Sequence, residues 1–125
     1  MPKCNPSCNR QRPTGQPKEV IEREADLLRA LGHPARIQAI EFLRGGERCV
    51  CEFGPVLGLR QPNVSQHLAV LRAAGLVATR RDGLRVMYRV ADPAVFAVLD
   101  QVREIVRQQS VRVAKAVAQD AAETR

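Results

Sequence analysis

Apolar residues recur at helical spacing in four stretches of the chain. Val20, Ile21, Leu27, Leu28 and Leu31 predict a helix over residues 18–31, ended by Gly32. Ile37, Ile40, Phe42 and Leu43 predict a second over 34–44, opened by His33-Pro34 and closed by Gly45-Gly46. His33 fits there as a turn or capping residue. Val64, Leu68 and Leu71 predict a third helix over 61–74, with Pro62 in its first turn and Gly75 at its end. The fourth runs from Pro93 to about Val117, N-capped by Asp92, with Val95, Val98, Leu99, Val102, Ile105, Val106, Val113 and Val117 apolar. Residues 49–57 begin a shorter helix that Gly54-Pro55 kinks or shortens. Gly58-Leu59-Arg60 is the turn before the helix at 61.

After Gly75 the pattern turns β-prone. Leu76–Arg81 and Leu84–Val90 flank Asp82-Gly83, a hairpin signal. The hairpin carries Arg80, Arg81, Arg85 and Arg89 against the single acid Asp82. Just before it, the helix 61–74 presents Gln61, Asn63, Ser65, Gln66 and His67 away from its narrow apolar stripe. Amides and hydroxyls of that length pair with base edges in a major groove. Alone, the same face also suits an ordinary solvated helix. Followed directly by a basic hairpin, it reads as a winged helix-turn-helix: a mainly α fold with a β-hairpin wing along the sugar-phosphate backbone. The DNA-binding candidates are therefore Gln61, Asn63, Ser65, Gln66, His67, Arg80, Arg81 and Arg85, with His67 facing DNA or solvent.

The charge distribution sharpens this expectation. The net charge is +7 over 125 residues. It gathers in an arm (Lys3, Arg10, Arg12 and Lys18, with no acid through residue 18) and in the wing, as suits double-stranded DNA as partner. Residues 1–17, rich in Pro, Asn, Gly and basic residues, read as a flexible arm. Residues 18–118 read as the DNA-binding and dimerisation domain, and 119–125 as a polar, fraying tail. The last helix has a long apolar stripe for so small a chain. With the helix 18–31 it predicts a homodimer, which also matches paired half-sites on DNA. No apolar run approaches the ~20 residues of a membrane span, and no signal-peptide core opens the chain, so a cytoplasmic location is expected. With no nucleophile–base pair or phosphate loop, the expectation is no enzyme and no small-molecule substrate.

Four cysteines then need a role, since structural disulfides are rare in the cytoplasm. Cys49 and Cys51 flank Val50 at a helix start, where the N-terminus favours thiolate. In a regular helix, residues two apart point roughly 200° from each other, so they share an ion only if Cys49 is still extended. Cys4 and Cys8, four apart around Pro6, supply two more sulfurs. A site of three or four thiolates selects soft ions: Cd(II), Pb(II), Zn(II), Bi(III), or As(III) on three sulfurs. The competing roles are a buried small hydrophobe, or redox switching between the pairs.

The segments ERCVCEF at 47–53 and RQPNVSQHLAVLRAAGLVATRRDGLRVMYRV at 60–90 resemble the ArsR/SmtB family of metal-sensing repressors, over about residues 18–110. The resemblance implies a homodimeric winged-helix repressor. It would hold a partly palindromic operator in the apo state and leave when metal binds, releasing efflux or resistance genes. The set Cys4, Cys8, Cys49 and Cys51 is similar to that of cadmium/lead-responsive members, in which the arm of one protomer reaches the Cys-Val-Cys helix of the other. Arsenite or antimonite sensing through the same cysteines is the alternative, with thiol redox sensing behind it. The second zinc site of some members is not expected: Asp92 lacks a His two residues on, and the last helix has no His.

Overall fold

The computed structural model describes residues 15–123. Five helices and a small sheet follow in the order α1 Lys18–Leu31, α2 Pro34–Phe42, β1 Arg48–Cys49, α3 Phe53–Leu57, α4 Gln61–Ala73, β2 Val77–Asp82, β3 Arg85–Val90 and α5 Ala94–Glu123. Short 3-10 turns link α2 to β1 and β1 to α3. The helices expected at 18–31 and 61–74 form within a residue of those bounds, on the apolar stripes that predict them. Asp92 caps α5, its Oδ1 accepting from the N–H of Ala94 at 2.9 Å.

The core gathers where α2, α3 and α4 meet. Ile40, Phe53, Val64, Leu68 and Leu71 are its largest fully buried side chains. Phe53 sits edge-on between Phe42 (5.2 Å between centroids) and Tyr88 (6.0 Å), joining helices to wing. Leu76 and Val77 carry the core into the base of the hairpin.

Four expectations change. The helix expected over 34–44 tightens into a 3-10 turn at Leu43–Gly45, where Gly45-Gly46 cannot prolong it. The helix expected to begin at residue 49 is instead a strand pair, a 3-10 turn and one helix of five residues. Residues 48 and 49 are drawn into the sheet because β3 offers them a free edge: Arg48 faces Tyr88 and Cys49 faces Met87, antiparallel. The hairpin turn lies one residue later than expected. Asp82 pairs with Arg85, leaving Gly83-Leu84 as the loop, with Gly83 at φ +62° in the first central position. Finally, α5 continues past Val117 and through 119–123, where a fraying tail was expected. Ala114, Ala116, Ala118, Ala121 and Ala122 are strong helix formers, and Glu104 pairs with Arg107 and Gln108 along the exposed side.

Gly75 closes α4 at φ +77°, and the N–H of Leu76 donates back to the carbonyl of Leu71 at 3.0 Å. A Cβ there would meet nothing within 4 Å, so only the left-handed backbone resists substitution. Gly75→Ala is therefore expected to cost about 1 kcal/mol in urea unfolding, without altering the helical circular-dichroism signal.

The second half of α1 and much of α5 leave apolar side chains uncovered. Leu28, Ile105 and Val106 are each more than half exposed. Among the described residues, no helix is long and apolar enough to cross a membrane.

Candidate nucleic-acid interface and cysteine site

On α4, the buried positions Val64, Leu68 and Leu71 take one side and lock it onto α2 and α3. Gln61, Asn63, Ser65 and Gln66 are exposed, on the first two turns. This is the face expected from the sequence, presented by a helix whose orientation the core fixes.

His67 differs from its expectation of facing DNA or solvent. Its ring lies 4.4 Å from that of His33, and its Nδ1 accepts from Nε of Arg36 at 3.3 Å. Burial first, then the neighbouring His33 and Arg36, lower its pKa, which favours the neutral imidazole. His33 caps α2 as expected, its Nδ1 accepting from the N–H of Ala35 at 3.0 Å. Arg36 also donates to the carbonyls of Arg29 and Ala30, both at 3.2 Å, closing the end of α1. It ties α1, α2 and α4 together. Sequence reading missed this role because Arg36 carries no pattern of its own.

The wing holds Arg81, Arg85 and Arg89 exposed. A shallow cleft between the end of α4 and the wing is lined by Arg72, Thr79, Arg80, Arg81 and Val86. Three guanidinium groups around one cleft favour a polyanion. Arg80 does not stand free in it. Its Nε lies 2.9 and 2.8 Å from the two carboxylate oxygens of Glu47. That bidentate contact holds Glu47 below the usual carboxylate range.

Cys49 and Cys51 sit at the head of α3. Cys49 is extended at φ −68°, ψ 142°, the condition under which two cysteines so spaced can face one site. Cys49 is buried and Cys51 exposed. The Cys49 sulfur accepts from the backbone N–H of Cys51 at 3.3 Å, and Oε2 of Glu52 accepts from the N–H of Cys49 at 2.8 Å. This is a capping box with sulfur in place of the usual hydroxyl. Glu52 was legible as the fourth residue of a cap-x-x-Glu pattern, had cysteine been read as a cap. The expected thiolate character is not seen at Cys51. Its thiol is pushed up, first by its hydrogen bond with Cys49, then by local desolvation and the charges of Cys49 and Glu52, with Arg85 opposing.

Among the described residues, no three His, Cys, Asp or Glu side chains come together as a metal-binding group. Cys49 and Cys51 offer two sulfurs, one at the surface, in a donor set suited to a soft ion that finds further thiolates elsewhere. Cys4 and Cys8, the expected source of those thiolates, lie outside the described residues, as do Arg10 and Arg12.

The model of the arsR family of bacterial regulatory proteins matches residues 33–79, from the cap of α2 into β2. The uncharacterised HTH-type transcriptional regulator Rv0081 of Mycobacterium tuberculosis is 42% identical over 93 residues, which are 73% of this chain and 82% of that one. The chain belongs to the ArsR family. The crystal structure of Rv0081 superposes on this ArsR-family chain with a TM-score of 0.69 at 39% identity, covering 79% of this chain and 99% of that one. The HTH-type transcriptional repressor SmtB of M. tuberculosis is 46% identical over 80 residues, 64% of this chain. The match spans only 59% of the length of SmtB. The solution structure of Mb0332 from Mycobacterium bovis, described as a homodimeric winged helix-turn-helix DNA-binding domain, superposes with a TM-score of 0.67 at 28% identity, over 77% of this chain and 92% of that one. The family and its architecture, a mainly α winged helix-turn-helix, agree with the expectation from sequence.

Proposed function

We propose that this chain is a transcriptional repressor that holds operator DNA as a homodimer and releases it when a thiophilic ion occupies its cysteines. One observation carries the sensor half of this reading: Cys49 ends the strand that joins the wing sheet and caps the 3-10 turn, bearing Cys51, that leads into α3. Strain placed on Cys49 therefore falls on the wing directly, and on α4 through α3, which packs against it.

In this reading Gln61, Asn63, Ser65 and Gln66 meet base edges in the major groove. Arg81 and Arg85 meet phosphates from the wing. His67 is a packing residue that sets the pitch of α4 against α2. The exposed apolar sides of α1 and α5 face a second copy, as the homodimeric relative supports. Cys49 and Cys51, with Cys4 and Cys8 of the arm, hold the ion. A bound soft ion would supply only a cross-link between thiolates. Cd(II) or Pb(II) is preferred because the four cysteines, two of them on an arm, resemble the set of cadmium/lead-responsive members of the family. Zn(II) and Bi(III) are accommodated by the same donors, and As(III) would use three. Because the Cys51 thiol is raised, ion uptake releases protons and strengthens as pH increases.

The test uses a duplex selected from random sequence by the metal-free, reduced full chain. Anisotropy is followed while Cd(II), Pb(II) or As(III) is added, and ultraviolet thiolate-to-metal absorption counts the sulfurs. Expected is a loss of DNA affinity of about tenfold or more, within the usual range of allosteric coupling. Unchanged affinity at saturating metal would end the sensor reading and leave a DNA-binding protein. Release by peroxide in the absence of metal would favour redox sensing instead.

A further inference from the structure

Residues 47–52 are fastened to the wing at more points than a strand pair requires. Cys49 and Arg48 pair with Met87 and Tyr88 on β3. Two residues before Cys49, Glu47 reaches past β3, the central strand of the sheet, to clasp Arg80 on β2, the far strand. Glu52 holds the other side of Cys49 by its backbone N–H. The Glu47 side chain is only 24% exposed, so the clasp is shielded on its acidic side, while Arg80 is 52% exposed and lies in the basic cleft with Arg72 and Arg81. A carboxylate and a phosphate compete for the same guanidinium fork.

We propose that Glu47 is the positioning residue that links the cysteine segment to the wing: by holding Arg80 it makes the strand bearing the phosphate contacts move with Cys49. This rests on the sensor reading above. Cys49 is bound on one side by its cap and on the other by the chain leading to Glu47. A change in backbone angle at Cys49 must then be taken up at the Glu47–Arg80 clasp. The clasp either carries β2 along or opens, and each outcome changes what the cleft offers to a phosphate. Without the clasp, β3 alone would transmit the change, through a strand pair two residues long.

The test compares the full chain with Glu47→Gln, a near-isosteric change that removes the charge of the clasp. Three quantities are read: Cd(II)–thiolate absorption, operator affinity of the metal-free protein against salt, and the ratio of affinities with and without Cd(II). Expected are unchanged absorption, a metal-free salt slope steeper by about one as Arg80 becomes free for a phosphate, and a metal-induced loss at least fivefold smaller than in the unaltered chain. The charge swap Glu47→Arg with Arg80→Glu is expected to restore most of that loss. If Glu47→Gln takes up Cd(II) normally and is released by the same factor as the unaltered chain, the link is overturned while the sensor reading stands. If its Cd(II) absorption disappears, Glu47 serves the ion site itself and the link is likewise overturned. If the unaltered chain ignores Cd(II), the sensor reading falls first and the link with it.

Discussion

Cys49→Ser protein is expected to fold, dimerise and bind its operator as the unaltered chain does, and to stay bound at saturating Cd(II). The exchange is informative because serine keeps one of the two things Cys49 does. A hydroxyl is among the preferred helix caps, so it can accept from the N–H of Cys51 in place of the sulfur. Glu52 still accepts from the backbone N–H of residue 49. The strand pair with Met87 involves only backbone. What is lost is the soft donor: a serine hydroxyl does not ionise near pH 7 and is a poor ligand for Cd(II) or Pb(II). The full metal response, about tenfold or more in DNA affinity, should vanish with metal-free affinity unchanged within about twofold. Cys4→Ser should behave alike if the arm completes the site. The measurement is the anisotropy titration on the selected duplex, with circular dichroism confirming the fold. A Cys49→Ser protein still driven off DNA by Cd(II) would remove Cys49 from the ligand set.

Phe53→Ala is expected to be the most damaging single truncation of the fold, at about 3–5 kcal/mol. Phe53 is fully buried and is the largest such side chain. It opens α3, a helix too short to persist without tertiary packing. Its ring also touches Phe42 from α2 and Tyr88 from β3, so its removal leaves a cavity where three elements meet. With total stabilities of about 5–15 kcal/mol usual for domains of this kind, much of the margin would go. Urea unfolding followed by circular dichroism reads the loss. A change below about 1 kcal/mol would show that the neighbouring rings close over the space, and that Phe53 does not join wing to helices as described.

The two predictions address residues four apart, with separable roles. Cys49 terminates the wing strand and heads the turn into α3, and Phe53 anchors the helix that follows. In the proposed sensor the segment bearing Cys49 and Cys51 must be firmly seated, since a loose one would absorb strain rather than pass it on. The seating comes from Phe53 below, Glu52 at the cap and Glu47 at the wing.

Much of this molecule is written in local pattern. The long helices carry apolar stripes, α1 and α4 stop at Gly32 and Gly75, and α4 and α5 open on Pro62 and on Asp92-Pro93, so α1, α4 and the start of α5 could be placed from spacing and punctuation. The polar face Gln61–Gln66 and the run of wing arginines are equally local. They follow from one period and one composition, and the structure leaves both exposed. The cysteine pair and its need for an extended Cys49 also followed from helical geometry. Contacts between distant residues are of another kind. That residues 48 and 49 form a strand depends on the open edge of β3, almost forty positions away. That Arg80 is clasped depends on Glu47 across the sheet, and that His67 turns inward depends on His33 and Arg36 packed against it. No period or motif encodes such pairings, because each side chain reads alike whether it meets water or a partner. The chain order thus set which pieces exist and which chemistry they bear. Long-range packing chose which arginine stays free for phosphate, which histidine is withdrawn, and how the cysteines are tied to the wing.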